Sequence, residues 1–214
     1  MAHRRSNLDQ DHRGRSRTAL LAHSSRIVLM ALVGATLAAP FVVRLVPLRI
    51  NTSPSLPRGL YLLEPVVGVP YPGQIVLTCP PPAAAALALE RRYLDRGPCP
   101  GGTKPLGKLV LAGAGDRVEL SAAGIVLNRC ALGAASSSTT DTRGRRLTRY
   151  PAGVYRLGAQ ELWLFSPHRR SFDSRYFGPV STRSVIGVLR PLLVLPSLPI
   201  ARWTAILRSC APRS

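Results

Sequence analysis

An uncharged apolar stretch near the N-terminus divides this chain into two different parts. Residues 27–43 carry no charge and are bounded by Arg26 and Arg44. This length is at the short end for a helix that spans a bilayer core, and the two arginines can extend it by reaching toward the interfaces. We predict a transmembrane anchor over residues 27–46, because few helices of soluble proteins are so uniformly apolar.

The segment before this stretch predicts its orientation. Residues 1–26 contain six arginines and two aspartates, so by the positive-inside rule they stay in the cytoplasm. A cleavable signal peptide, cut after Ala38-Ala39, is the alternative, although the basic segment is long for one. Both interpretations place the later residues outside the cytoplasm. We expect a single-pass membrane protein whose N-terminus is cytoplasmic and whose main domain lies outside the cytoplasm, close to the lipid bilayer.

Composition argues against two common classes of protein. The formal net charge is +19, but the arginines are scattered and do not form a stripe with interleaved aromatic residues, so nucleic acid is not an expected partner. The four cysteines form no Cys-x-x-Cys pair, and we expect neither a metal nor a cofactor. Cys79 and Cys99 bracket a segment rich in alanine and proline. A disulfide between them, which needs an oxidising compartment, is one interpretation; small apolar residues without a bridge are the other.

Beyond the anchor, short apolar runs alternate with Gly and Pro over residues 51–190. Many short strands at close spacing favour a mainly β fold, either a barrel or a sandwich. The predicted strands are 59–63, 74–77, 108–111, 117–120, 124–128, 154–157, 161–165 and 184–189.

Three segments of the chain depart from this strand pattern. A small helical insertion, with its helix at residues 83–94, is expected within about 79–99. Residues 134–149 are rich in Ser, Thr and Arg and predict a flexible loop. Residues 191–214 form an apolar, Pro-rich tail, and the sequence leaves open whether it packs on the barrel or lies on a membrane.

Lysine is almost absent, which makes the remaining two informative. Of 29 basic residues only Lys104 and Lys108 are lysines, and arginine cannot replace lysine where the nitrogen must lose its proton. Lys108 begins an apolar run, and burial among apolar neighbours lowers the pKa of a lysine so that it can act as a base. The run Ser53-Pro54-Ser55-Leu56-Pro57 offers a serine, either Ser53 or Ser55, as the other half of a Ser-Lys dyad, and its prolines restrict the backbone on both sides of Ser55. Lys104 precedes a proline in a Gly-rich turn and is expected to be exposed.

Three stretches of the chain resemble the signal peptidase I (leader peptidase) family, most closely its TraF-type conjugative transfer peptidases. They are Ser55-Leu56-Pro57-Arg58-Gly59-Leu60-Tyr61, the run from Cys99 through Lys108 to Asp116, and the box at 171–180 that contains Asp173-Ser174-Arg175. All three occur in the family order behind an N-terminal hydrophobic segment. The resemblance implies a signal-peptidase-like β domain with one preceding transmembrane helix, located in a bacterial inner membrane with the domain in the periplasm.

The resemblance also implies a role for each matching residue. Ser55 matches the nucleophile, with Ser53 as a rival or as a contributor to the oxyanion site, and Lys108 matches the general base. Asp173 braces the site, Arg175 pairs with Asp173 or with Asp116, and Ser171 hydrogen-bonds the lysine.

The implied function is that of a serine endopeptidase that cleaves a precursor protein at the outer face of the inner membrane. The precursor would be a protein with a signal peptide or a pilin precursor of a conjugative transfer system. A non-catalytic, membrane-anchored component of a secretion or conjugation apparatus is the alternative. A serine hydrolase that uses His168 with Asp173 is a third possibility, although the arginines beside His168 suit a solvated loop better.

Overall fold

The computed structural model describes residues 29–30, 32–34, 36, 47–132, 136–195 and 200–210. It divides into two units, residues 1–47 and 48–214. In the first unit the residues described between 29 and 36 are helical. No helix in the described part of the chain is both long enough and apolar enough to cross a membrane. Most of the predicted anchor at 27–46 lies outside the described residues.

The second unit is mainly β, as the sequence predicted. A seven-stranded antiparallel sheet has the order β1-β2-β11-β3-β4-β9-β10, and a four-stranded antiparallel sheet has the order β7-β6-β5-β8. The strands are β1 (Leu48–Asn51), β2 (Gly59–Glu64), β3 (Ile75–Thr78), β4 (Leu106–Ala112), β5 (Arg117–Ser121), β6 (Gly124–Leu127), β7 (Cys130–Leu132), β8 (Gly153–Arg156), β9 (Glu161–Phe165), β10 (Val180–Ser181) and β11 (Val185–Val194).

Three α-helices and one 3₁₀ turn accompany the sheets: α1 (Pro82–Glu90), α2 (Ser174–Phe177), α3 (Ile200–Cys210) and the turn Thr182–Ser184. Helix α1 is the helix expected in the insertion, but it ends at Glu90 and not at residue 94. Arg92 has a positive φ of 58°, and the N–H of Tyr93 bonds back to the carbonyl of Ala88 at 2.8 Å. This left-handed cap closes the helix earlier than its alanine- and leucine-rich sequence suggests.

The central strands of the large sheet are buried on both faces, which explains their uninterrupted apolar sequences. On one face, Leu109 and Phe165 belong to the main core. On the other face, Val76, Val110 and Leu164 belong to a smaller cluster. A polar side chain in the middle of the sheet is therefore surrounded by packed apolar residues and shielded from water.

The C-terminal tail packs on the main core, which the sequence had left open. Strand β11 continues through Pro191 to Val194, past the predicted end at 189, with a register shift after Pro191. A proline is tolerated there because this end of β11 pairs only with β2 and its other side carries no strand partner within the described residues. In α3, Trp203 and Leu207 are buried in the core.

Candidate active site

Ser55 lies in the loop that joins β1 to β2, and the side chain of Asn51 holds this loop in shape. Asn51 Nδ2 donates hydrogen bonds of 3.0–3.1 Å to three backbone carbonyls of the loop, those of Ser53, Leu56 and Pro57. Asn51 Oδ1 accepts from the N–H of Ser53 at 3.2 Å and from Ser53 Oγ at 2.8 Å. One side chain thus fixes the backbone on both sides of Ser55.

The residues after Ser55 attach the loop to the core. Leu56 is 1% exposed, and it fits because Gly107 has no side chain: a Cβ there would lie 2.8 Å from Leu56 Cδ1. The Tyr61 hydroxyl donates a 2.7 Å hydrogen bond to the carbonyl of Pro57. Burial raises the pKa of Tyr61 to about 12, so this donor keeps its proton. Ser55 itself stays half-buried.

Lys108 lies in β4, in register with Val76 of β3 and on the same strand face as Val110, because side chains alternate along a strand. The residue is 3% exposed. Burial lowers the pKa of Lys108 to about 8; the charge of Asp173 opposes this shift and that of Arg175 adds to it. With that pKa, roughly a tenth of the amine is neutral at pH 7.

Ser171 connects the lysine to the serine. Lys108 Nζ donates a 2.8 Å hydrogen bond to Ser171 Oγ, and Ser171 Oγ lies 3.2 Å from Ser55 Oγ. Within the described residues Lys108 and Ser55 share no direct hydrogen bond, and the Ser171 hydroxyl stands between them. The structure thus brings the three side chains together as a hydrogen-bonded chain, in which the middle member belongs to a separate loop.

A buried ion pair braces the loop that carries Ser171. Arg175 NH2 lies 2.7 Å from Asp173 Oδ2, and both side chains are completely buried. The same guanidinium donates to the carbonyls of Ser166 at 3.2 Å and His168 at 3.1 Å. Arg175 therefore pairs with Asp173. Asp116, the other candidate partner, accepts instead from Gly113 and Asn128 in its own turn.

Other predicted residues lie beside this group without joining it. Ser53 is exposed and its hydroxyl bonds to Asn51. Lys104 forms an exposed ion pair of 2.9 Å with Asp95. His168 lies in the wall of a cleft that Ser55 also lines. Its buried Nδ1 has no hydrogen-bond partner in the described part of the chain. Burial lowers the pKa of His168, and the charges of Lys108 and nearby arginines lower it further.

The hydrogen-bonded side chains of Ser55, Ser171 and Lys108 lie beside a cleft of about 870 Å³, which Ser55 and Lys108 line. Its walls come mainly from five parts of the fold: the segment 49–56, the insertion around 92–98, the start of β4, the loop at 141–147 and the loop at 168–172. A half-buried hydroxyl next to a buried amine of lowered pKa, at the edge of such a cleft, has the parts needed for nucleophilic attack on a bound chain. Among the residues described, no cluster of His, Cys, Asp or Glu could hold a metal ion.

Comparison with known proteins decides the family. The family described as "Signal peptidase, peptidase S26" matches residues 21–193. The chain belongs to this peptidase family. The resemblance inferred from the motifs is thereby confirmed.

Among curated proteins, the conjugal transfer protein TraF of Agrobacterium fabrum is 40% identical over 145 residues, covering 67% of this chain and 81% of that protein. A plasmid transfer protein TraF of Escherichia coli is 38% identical over 164 residues, covering 75% and 90%. Among solved structures, a signal peptidase I from Enterococcus faecalis V583 covers 57% of this chain and 98% of its own, with 19% identity and a TM-score of 0.33.

One wall of the cleft in this member of the S26 family is built from two segments that the sequence predicted separately, the insertion and the loop at 134–149. Asp141 is their meeting point: it accepts from the Tyr93 hydroxyl at 2.6 Å and from Arg145 Nε at 2.7 Å. Burial raises the pKa of Asp141, but these hydrogen bonds outweigh it and the pKa is lowered overall. The flexibility expected for this loop stays a prediction, since hydrogen bonds in one structure do not measure motion.

Two disulfides cross-link the β domain. One joins Cys79 to Cys99, with Cα atoms 5.5 Å apart, across the base of the insertion. The other joins Cys130 of β7 to Cys210 of α3, with Cα atoms 5.7 Å apart. The second bridge was not anticipated, because no local pattern relates two cysteines 80 positions apart.

Sequence reasoning also missed two residues that shape the site. The motifs did not single out Asn51, although an Asn that precedes a Ser-Pro turn commonly bonds to the backbone two residues on. Ser166 donates from its hydroxyl to the carbonyl of Ser55 at 2.6 Å, and its N–H donates to Asp173 at 3.1 Å. No sequence signal marks Ser166, because its contact with Ser55 joins segments 111 positions apart.

Proposed function

We propose that the protein is a membrane-anchored serine endopeptidase in which Ser55 is the nucleophile and Lys108 the general base. The observation that carries this proposal is the hydrogen-bonded chain from Lys108 Nζ through Ser171 Oγ to Ser55 Oγ, with distances of 2.8 and 3.2 Å. Membership of the S26 family supports it, because it supplies the reaction class for which such a pair is suited.

The proposed first step is proton transfer along this chain. When Lys108 is neutral, its amine accepts from the Ser171 hydroxyl, and Ser171 Oγ accepts the proton of Ser55. Ser55 Oγ then attacks the carbonyl carbon of the scissile peptide, and the lysine returns the proton to the departing amine. In the second step the same amine takes a proton from water, the resulting hydroxide attacks the acyl carbon, and the lysine gives that proton to Ser55 Oγ as the acyl–oxygen bond breaks. Small rotations of these side chains on substrate binding also allow direct transfer, since such contacts often tighten only in the complex.

The negative oxygen formed during attack needs donors that are free to bind it. Within the described residues the backbone N–H of Ser55 donates no hydrogen bond, so it is available for this role. The Ser53 hydroxyl, now bonded to Asn51 Oδ1 at 2.8 Å, is the second proposed donor. Ser53 therefore contributes to the rate, while Ser55 forms the covalent intermediate.

We propose that the substrate is a precursor protein of a conjugative transfer system, such as a pilin precursor, because similar proteins carry the names conjugal and plasmid transfer protein TraF. We further propose that residues 27–46 anchor the protein in the inner membrane with the peptidase domain on the periplasmic side. Ser55 follows the anchor closely, so the cleft would meet a scissile bond just outside the bilayer.

The experiment is co-expression of the full chain with a candidate pilin precursor, followed by mass measurement of the product, which reports the cut and any ring closure. We expect Ser55→Ala to abolish processing, Ser53→Ala to slow it about 10²-fold, and His168→Gln to leave it within a few-fold of wild type. Unchanged processing with Ser55→Ala would favour the non-catalytic alternative. Loss with His168→Gln, in a folded protein, would favour the histidine-based hydrolase.

A further inference from the structure

Three arginines from three different elements line the cleft beside Ser55. Arg49 belongs to β1, Arg92 follows α1, and Arg170 precedes Ser171. All three are exposed. Within the described part of the chain, the guanidinium groups of Arg92 and Arg170 have no ion-pair or hydrogen-bond partner, whereas Arg145 and Arg175 are bound to acids. Each unpaired guanidinium is a planar group with several N–H donors, which are free to bind a chain that occupies the cleft.

The acids of the cleft do not offset this charge. Asp95 is paired with Lys104 at 2.9 Å, and Asp141 is bound by Tyr93 and Arg145. With both carboxylates occupied by neighbours, the cleft as a whole is cationic. Apolar walls alone would bind a neutral segment as well as an acidic one. The unpaired arginines are therefore the groups that discriminate between neutral and acidic segments.

The backbone conformation at Arg92 allows its side chain to be removed without disturbing the fold. Arg92 has φ of 58°, a conformation in which glycine is favoured. Arg129, in the turn between β6 and β7, has φ of 78°, is also exposed and does not line the cleft. Replacing either arginine by glycine removes one positive charge and relieves the backbone, so the two variants differ only in where the charge was lost.

We propose that Arg92 and Arg170 determine specificity by binding carboxylates of the substrate chain near its scissile bond. This inference rests on the proposed function, because it takes the cleft beside Ser55 as the substrate site. Charge-assisted hydrogen bonds from guanidinium to carboxylate are stronger than neutral ones and are often bidentate. The substrate class is therefore a peptide segment with aspartate, glutamate or a free C-terminal carboxylate close to the cut.

The test measures binding without cleavage, in a Ser55→Ala background, so that it does not depend on activity. Three short alanine-rich peptides carry the same uncharged dye: one with two aspartates and an amidated C-terminus, one with asparagines instead, and the asparagine peptide with a free C-terminal carboxylate. Fluorescence anisotropy gives Kd for each, at low and at physiological salt. The two carboxylate peptides distinguish a side-chain from a terminal source.

We expect the variant with Ser55→Ala alone to bind at least one carboxylate peptide about fivefold more tightly than the neutral peptide, with a preference that weakens in salt. Arg92→Gly and Arg170→Gln should each remove most of this preference. Their matched controls, Arg129→Gly and Arg169→Gln, should retain it, and each variant should unfold at about the same temperature as its matched control. Equal affinity for all three peptides, or equal losses in variants and controls, would overturn the inference.

Failure of this inference and failure of the proposed function give different results. If Ser55→Ala abolishes precursor processing but Arg92→Gly binds all peptides like its control, the peptidase assignment stands and the specificity assignment falls. If Ser55→Ala leaves processing intact while the carboxylate preference depends on Arg92, the cleft binds acidic segments without cutting them at Ser55.

Discussion

Lys108 and Ser171 come from a central strand and a distant loop, 63 positions apart, yet their side chains meet in a 2.8 Å hydrogen bond. The strand buries the amine of Lys108, and the loop supplies the Ser171 hydroxyl that accepts a hydrogen bond from it. Because a buried ammonium without partners is costly, this contact holds the lysine in place in either protonation state.

Replacing Lys108 by arginine should abolish processing. Guanidinium stays protonated at any accessible pH and cannot accept the proton of a serine. We expect at least a 10²-fold loss of kcat, measured on the purified precursor. Lys104→Arg is the matched control, because Lys104 is exposed and paired with Asp95. Near-normal turnover with Lys108→Arg would remove Lys108 from the role of base.

The activity should rise with pH up to about 8 and then level off. Burial lowers the pKa of Lys108 to about 8, and the active form is the neutral amine. Below that pH each unit of acidification reduces the neutral fraction about tenfold, so log kcat/KM should fall with a slope near one. A profile of kcat/KM against pH that stays flat from about 6 to 9 would contradict the assignment.

Ser171→Ala should lower kcat more than it raises KM. The substitution removes the hydroxyl between Lys108 and Ser55, so we expect a loss of about 10²-fold in kcat. It also removes an oxygen that accepts from the charged amine, which should lower the pKa of Lys108 further. The acid limb of the pH profile should therefore move to lower pH. An unchanged profile with normal kcat would show that Ser171 has no part in proton transfer.

Asp173→Asn should destabilise the folded domain far more than loss of a surface ion pair does. It leaves the guanidinium of Arg175 buried without its partner, which costs about 3–5 kcal/mol of unfolding free energy. Glu64→Gln breaks the exposed pair with Arg190, 2.6 Å apart, and should cost at most about 1 kcal/mol. Chemical denaturation measures both. Equal costs would mean that the buried pair does not brace the fold.

The sequence predicted those parts of the site that depend on local pattern. The scarcity of lysine singled out Lys108, and its apolar neighbours predicted the buried strand in which it lies. The alternating runs predicted a mainly β domain, because burial on strand faces leaves a period in the sequence. The predicted end of α1, at residue 94, was too late. Helices usually end where glycine or asparagine adopts a left-handed backbone conformation, and the arginine at position 92 gave no such signal.

What the sequence could not predict depends on contacts between distant segments. The meeting of Tyr93 with Asp141 and the support of Ser55 by Ser166 each join segments with no shared pattern. The bridge from Cys130 to Cys210 is of the same kind. Four cysteines allow three pairings, and only the fold selects between them.

The packing behind the candidate site connects the C-terminal helix α3 to the buried ion pair beside Ser171. The ring of Trp203 in α3 lies 5.0 Å from that of Phe165, and the guanidinium of Arg175 lies 4.9 Å from the centre of the Phe165 ring on which it rests. Helix α3 is translated after every other described element of the domain. A chain that has not yet synthesised α3 lacks the Trp203 ring that packs on Phe165 beneath Arg175. We therefore expect the loop that carries Ser171 to reach its final packing only after α3 has docked.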